Sequence, residues 1–397
     1  MTAKLSKISL PLKLTFLIFS MVLNCMGLII LQLADDNITY GELGFLESFK
    51  DLPIAFISLF AVGFINKTGS KKALILALTI VGFCSCLLPF MADFWFYKLW
   101  FAIIGACFAI GKICVFGIIR NNISDEKSLA KTMNSVEASF MIGIFVVNTG
   151  FGWLISSQYS EFWKFGFLMI AVLSAITIFL LSKADISESK PLENKNVFSE
   201  LSGFTTPSIA LFLGVVFFIV FVEQGFNSWL PSFYKNHLNV NSFFALQATS
   251  FLSLFSYAGR TVTANIIRRF ELSKYYITCM SLIFALLLII LGIQYFDSKD
   301  SRMILFLFPV VGLFLSPLYP VINSRMIAQV DKEKVNLFTS LIVIFSSLGS
   351  SVSSIIMAIL FGKQLLNYYP LYILFSVSLL FVISLMYFNV SKRKYRK

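Results

Sequence analysis

The sequence predicts an all-α membrane protein of twelve transmembrane helices arranged as two six-helix bundles. Three observations predict it. Only 13% of the 397 residues are charged while 58% are hydrophobic, and mean hydropathy is +0.84. Water-soluble chains average about 25% charged residues, so this composition belongs to lipid. Unbroken apolar runs of about 20 residues recur along the chain, the length a helix needs to cross the hydrocarbon. The longest polar connection falls after the sixth run, at residues 183–207, dividing the chain into six plus six.

The expected spans cover residues 13–34, 43–65, 72–92, 96–120, 130–156 and 162–182 in the first half. The second half supplies 208–230, 242–267, 275–296, 302–324, 336–360 and 368–389. These runs are continuous rather than alternating, which excludes a transmembrane barrel. Ahead of the first span, MTAKLSKISLPLKL is basic, and no small-residue cleavage site follows the apolar run, so a retained span is expected rather than a signal peptide. The resulting division is an N-terminal bundle at 1–182, a linker at 183–207 and a C-terminal bundle at 208–397.

Most of the 32 Lys and Arg residues fall on one side of this arrangement, in the loops after the even-numbered spans and at both termini. The positive-inside rule then predicts cytoplasmic termini in a bacterial inner membrane. The net charge of +12 is a topology signal, so no nucleic-acid partner is expected. Six fall on the other side, Lys98, Lys164, Lys235, Lys299, Arg302 and Lys363, and three, Lys50, Lys112 and Arg260, lie inside spans.

Soluble chemistry is poorly represented. The six cysteines sit in apolar runs without metal-ligand spacing, and buried reduced thiols are expected. The one histidine, His237, falls in a predicted loop, so a histidine proton relay is not expected. No Gly-rich phosphate loop ending in Lys-Ser/Thr occurs, which argues against ATP-driven pumping. Neither an enzyme, a cofactor nor a metal site is expected. A polar interior inside such a bundle means passage of a small solute, with energy from an ion gradient.

The second span carries Glu47, Lys50 and Asp51 one turn apart on one face. They either face a bundle interior or lie in the interface above the hydrocarbon. Glu137, early in the fifth span, is a candidate proton carrier or a helix-end partner of Arg120 or Lys131. Glu223 and Asn227 are four residues apart and share a face, as a binding pair or as inter-helix glue. Lys112 lies mid-span, too deep to snorkel easily. Arg260 follows Ser253, Ser256 and Tyr257 down one face. These cations either neutralise buried acids, as in a Lys50–Asp51 pair, or meet an anionic solute. Tyr319 and Asn323 recur at helical spacing in GLFLSPLYPVINS, where Pro317 and Pro320 interrupt the ladder. Asn24 offers a further amide in the first span. The Ser/Gly-rich run of the eleventh span reads as a close-packing face.

Between the second and third spans, Asn66-Lys67-Thr68-Gly69-Ser70-Lys71 resembles the conserved loop of the major facilitator superfamily, with Asn66 where that family usually has Asp. VEQGFNSWLPSF and GLFLSPLYPVINS are similar to stretches of bacterial sugar-permease-like members related to the fucose permease group. The resemblance implies alternating access between two bundles, with Asn66, Lys67, Gly69 and Lys71 forming a conformational loop. The expected function is secondary active transport coupled to protons, by a monomer. A small organic anion is the leading substrate, held by Lys112, Arg260, Glu223, Asn227, Tyr319, Asn323 and Asn24. A neutral sugar is the alternative. A lipid flippase of the same fold would be marked by a lateral apolar opening between helices.

Overall fold

The computed structural model of the chain describes residues 3–29, 40–91, 93–123, 125–186, 206–296 and 302–394. Among the described residues there are thirteen α-helices and no strand. The first half holds α1 (Ala3–Asn24), α2 (Tyr40–Thr68), α3 (Ser70–Leu87), α4 (Phe94–Asn122), α5 (Glu126–Ser156) and α6 (Phe167–Lys183). The second holds α7 (Pro207–Asn236), α8 (Ser242–Ile266), α9 (Leu272–Phe296), α10 (Arg302–Leu315), α11 (Leu318–Gln329), α12 (Val335–Gly362) and α13 (Tyr369–Lys394). Most of the expected linker lies outside the described residues.

Several starts are written in the sequence. The Asp125 carboxylate accepts the Ser128 N–H at 2.8 Å to open α5, and the Asn241 side chain accepts the Phe244 N–H at 3.0 Å to open α8. Thr206 caps α7 ahead of Pro207, whose missing N–H is harmless in a first turn. His237 lies, as expected, in the connection after α7, where it is the C-cap of that helix. Burial holds its imidazole below the ordinary value.

Eleven segments among the described residues are long and apolar enough to cross a membrane. The eighth expected span is also a helix, but it falls short of that apolarity. The reason is a polar stripe: Thr249, Ser250, Ser253, Ser256, Arg260 and Thr263 are all buried, while Phe244, Phe251, Leu254 and Val262 are exposed. Helix α8 therefore turns its polar side inward and a narrow apolar side outward, as a helix beside a polar cavity must. Exposed Phe56, Phe83, Phe179 and Phe375 mark the corresponding lipid-facing surface of other helices. Cys84 is buried and Cys86 exposed, on different sides of α3, and both are free thiols.

The helices form two six-span bundles. In the first, α1 packs on α4, α5 and α6, with α2 and α3 against α4. In the second, α7 packs on α8, α12 and α13, and α8 and α9 pack on α10. Across the divide, α2 meets α12 and α5 meets α8. The second and eighth spans are each other's counterparts under a six-span shift, as are the fifth and eleventh. The largest contacts between the bundles are therefore one helix pair used twice.

The tenth span is broken into α10 and α11 at Ser316 and Pro317. Pro320 adds to the break by lacking the N–H that would reach back to the Ser316 carbonyl. At the end carrying the basic loops, Arg120 of α4 donates to the carbonyls of Ile327, Ala328 and Val330 at 3.0–3.2 Å. These carbonyls lie at the C-terminus of α11, where a cation is favoured. Lys127 donates to the Arg268 carbonyl, and Arg268 to the Ser128 hydroxyl, at the same end. The two bundles are thus fastened together there. Gly69 takes φ 84, a backbone conformation that allows α2 to end and α3 to begin without a gap. Just beyond it, Lys71 ties this turn to the end of α6 through the Ser182 and Ala184 carbonyls, at 2.9 and 2.7 Å.

Helices α2 and α4 cross at Gly105, where an added Cβ would collide with the Lys50 carbonyl oxygen. Gly105→Ala should therefore lower stability by about 1–3 kcal/mol through overpacking, outweighing the intrinsic helix preference for Ala. Thermal unfolding in detergent checks this. A rise in the midpoint would show that the crossing is not tight.

Candidate functional site

A cavity of about 120 Å³ lies between the bundles. The first bundle lines it with Asn24, Lys50, Asp51, Lys112 and Glu137, and the second with Glu223, Asn227, Arg260 and Tyr319. Nine of the residues singled out in the sequence therefore converge on one space. Glu47 stands behind the wall, and Asn323 is fully buried below it with both amide atoms unbonded. Asn66, Lys67, Gly69 and Lys71 lie at the basic end and do not line the cavity.

Arg260 is the most completely used side chain. Its Nε donates to the Ser316 carbonyl at 3.1 Å, the acceptor that Pro320 leaves without a helical donor. Its Nη1 donates to the Glu137 carbonyl at 2.7 Å and to Glu137 Oε2 at 3.1 Å. Its Nη2 reaches Glu223 Oε1 at 3.5 Å. The guanidinium is 2% exposed, so desolvation must be offset by these partners. Glu137 is accordingly the partner of Arg260 in the other bundle, and neither Arg120 nor Lys131 of its own bundle pairs with it. Only the planar five-donor fork of Arg can serve three helices at once.

The second cluster lies on α2. Lys50 Nζ stands 3.8 Å from both Glu47 Oε1 and Asp51 Oδ1, and all three side chains are buried. Their position in the interior rather than the interface follows from α2 lying against α12. Glu47 Oε1 also accepts from Gln224 Nε2 and from the Ser228 hydroxyl, the latter at 2.5 Å. This second polar link, like Arg260–Glu137, joins one bundle to the other. Glu47 Oε2 and Asp51 Oδ2 are buried without a hydrogen-bond partner.

Lys112 differs from both. No carboxylate among the described residues comes within ion-pair distance of its ammonium, which sits 4.3 Å from the Tyr319 ring centroid. Phe108 and Phe116 stand farther off at 5.4 and 5.8 Å. Ring faces partly replace hydration for a cation. The Tyr319 hydroxyl is in turn hydrogen-bonded with the Ser346 hydroxyl at 3.1 Å.

Sequence reasoning missed part of the wall. Ser346, Ser347 and Ser350 of α12 line the cavity, although the run reads as a close-packing face. Phe16, Phe108 and Phe140 supply aromatic lining, and among 45 phenylalanines nothing distinguishes them in the sequence. Gln224, next to Glu223, also lines it. Its signal was present, because Gln224 and Ser228 are four apart on the same helix as Glu223 and Asn227. Trp229 is buried against Phe361, outside the cavity.

Replacing Arg260 strands one buried carboxylate, Glu137, and one partly buried, Glu223. Arg260→Gln should cost about 3–5 kcal/mol of stability, and Arg260→Lys should recover only a minor share of it. Thermal unfolding of the two purified variants checks this, and full rescue by Lys would contradict the three-helix role of the fork.

Comparison with known proteins bears on the fold and the family. A variant of the E. coli fucose:proton symporter FucP superposes with a TM-score of 0.74 at 15% identity, covering 96% of this chain and 98% of that one. FucP in the outward conformation superposes at 0.73, also with 15% identity, covering 95% and 97%. No curated protein sequence matches. The model of the Major Facilitator Superfamily matches residues 13–298, well over half of the sequence. This multi-pass membrane protein therefore belongs to the Major Facilitator Superfamily.

Proposed function

We propose that this protein is a proton-coupled secondary active transporter of the bacterial inner membrane, working by alternating access. The Arg260–Glu137 bridge carries the reading. It joins α8 to α5 at the cavity wall, with Glu223 sharing the same guanidinium. Two carboxylates around one cation make a natural site for a transported proton, because neutralising one removes the repulsion and frees the cation for the other. Protonating Glu137 weakens an inter-bundle contact, so proton binding and bundle movement are one event. The membership of the family and the likeness in fold to a proton symporter agree with this coupling. The loop asymmetry of Lys and Arg puts the basic end in the cytoplasm.

The charge balance moves the substrate reading away from the organic anion. Lys50, Lys112 and Arg260 face Glu47, Asp51, Glu137 and Glu223, so cations are outnumbered and two of the three are already paired. What remains for a solute is Asn24, Asn227, Ser347 and Ser350, together with the rings of Phe16, Phe108 and Phe140. Amides and hydroxyls beside ring faces suit a neutral polyhydroxylated molecule of sugar size. A monocarboxylate is the second reading, favoured by the one observation that Lys112 has no carboxylate partner.

Thermal-shift titration with neutral hexoses and with mono-, di- and tricarboxylates separates the two. Stabilisation by a hexose, weakened roughly tenfold in Asn227→Ala by loss of a hydrogen bond and unchanged in Lys112→Gln, is expected. Stabilisation by carboxylates alone, abolished in Lys112→Gln, would select the second reading. In proteoliposomes, an acid-outside gradient should drive accumulation of the stabilising solute. Glu137→Gln should retain solute exchange at equilibrium while losing the gradient-driven accumulation. Equal gradient dependence in that variant would remove Glu137 from the coupling.

A further inference from the structure

On the outer side of the first bundle, away from the cavity, α2 and α4 leave a trough of about 770 Å³. Phe49, Leu52, Pro53 and Phe56 of α2 form one bank, and Ala102 and Ala106 of α4 form the floor. The trough exists because the helices touch at Gly105 and carry small or ring-closed residues on the lipid side of that crossing. It shares no lining residue with the central cavity, so it is not a lateral entrance to the solute site. Phe49 and Ala102 also line a second hollow, which continues along α4 past Leu99 to Lys98 and Trp95.

Lys98 gives this groove a chemical identity. It lies in the second turn of α4, about 12 Å along the helix from Ala106 at 1.5 Å per residue. Its ammonium is 4.5 Å from the Phe94 ring centroid, 4.9 Å from Trp95 and 5.5 Å from Phe49. It forms no ion pair with a carboxylate among the described residues. A cation ringed by aromatics at the end of a spanning helix marks the level of lipid headgroups. An apolar channel leads from it toward the middle of the membrane.

We infer that this groove is a binding site for an anionic phospholipid, with its phosphate on Lys98 and one acyl chain in the trough between α2 and α4. A phosphate supplies the counter-charge that no described carboxylate does, by charge-assisted hydrogen bonds in a poorly hydrated setting. A chain in the trough covers Phe49, Leu52 and Phe56, which are 36%, 52% and 62% exposed. Phe49 and Leu52 flank Lys50 and Asp51 on the same two turns of α2. The lipid therefore rests against the back of the charge cluster, and its binding does not depend on which solute is carried.

Native mass spectrometry of the detergent-purified protein with equal phosphatidylglycerol and phosphatidylcholine tests the site. At least a tenfold preference for phosphatidylglycerol is expected. Lys98→Gln should abolish the preference and Lys98→Arg should keep it. Ala106→Phe, which fills the trough on the lipid side, should reduce retention of both lipids. Equal retention by the unaltered protein, or a preference that survives Lys98→Gln, would overturn the assignment. Thermal midpoints of the variants, measured in parallel, separate loss of lipid from loss of fold.

Discussion

The structure depends on the burial of Arg260. An unpaired guanidinium between helices in a membrane is strongly unfavourable, so its surroundings are built to satisfy it. Glu137 comes from α5 in the other bundle, Glu223 from α7, and a backbone carbonyl from the broken tenth span. Each partner fixes the place of a different helix around the cavity. Removing any of them leaves a charge or a polar group in a low-dielectric interior. This is why the cluster holds the helices around it in one arrangement, and why the proposed coupling is placed there.

A second fastening lies nearer the basic end. Arg120 grips the last carbonyls of α11, and both it and the Arg260 cluster act on the two halves of the same interrupted span. Breaking that span at Ser316–Pro317 makes the grip at each level possible, since an unbroken helix would keep its carbonyls to itself. Between these levels Asn323, Asn134 and Thr339 carry buried polar atoms with no partner. Such groups are unfavourable while dry, so this level of the interface is held less firmly than a purely apolar seal would be.

The architecture was legible because membrane spans are written in length and apolarity, which survive without knowledge of tertiary contacts. Even the exception had a readable cause. Helix α8 lost apolarity through the same polar stripe that holds Arg260. The intramembrane charges were legible for the same reason, since each is out of place in lipid. Their pairing was legible only where partners are neighbours on one helix, as for Lys50 and Asp51. Glu137 could be matched with nearby Arg120 or Lys131, but its partner lies 123 residues away in the other bundle. The serines of α12 illustrate the other limit: a small polar side chain serves close contact and cavity lining equally well, and only the neighbour decides. Asn323 shares the helical spacing of Tyr319 on α11 yet ends below the cavity, because four residues carry it about 6 Å farther along the helix toward the basic end.

The most direct test of the account is a distance measurement between the two bundles at the basic end. Spin labels at Lys72 and Lys274, with Cys86 replaced by Ser, would report that separation by electron paramagnetic resonance across pH. The account predicts that acidification shifts the wild-type distance distribution, and that Glu137→Gln shows the shifted distribution already at neutral pH. A Glu137→Gln distribution matching the neutral wild type at every pH would contradict it, and would leave the Arg260–Glu137 bridge a structural contact only.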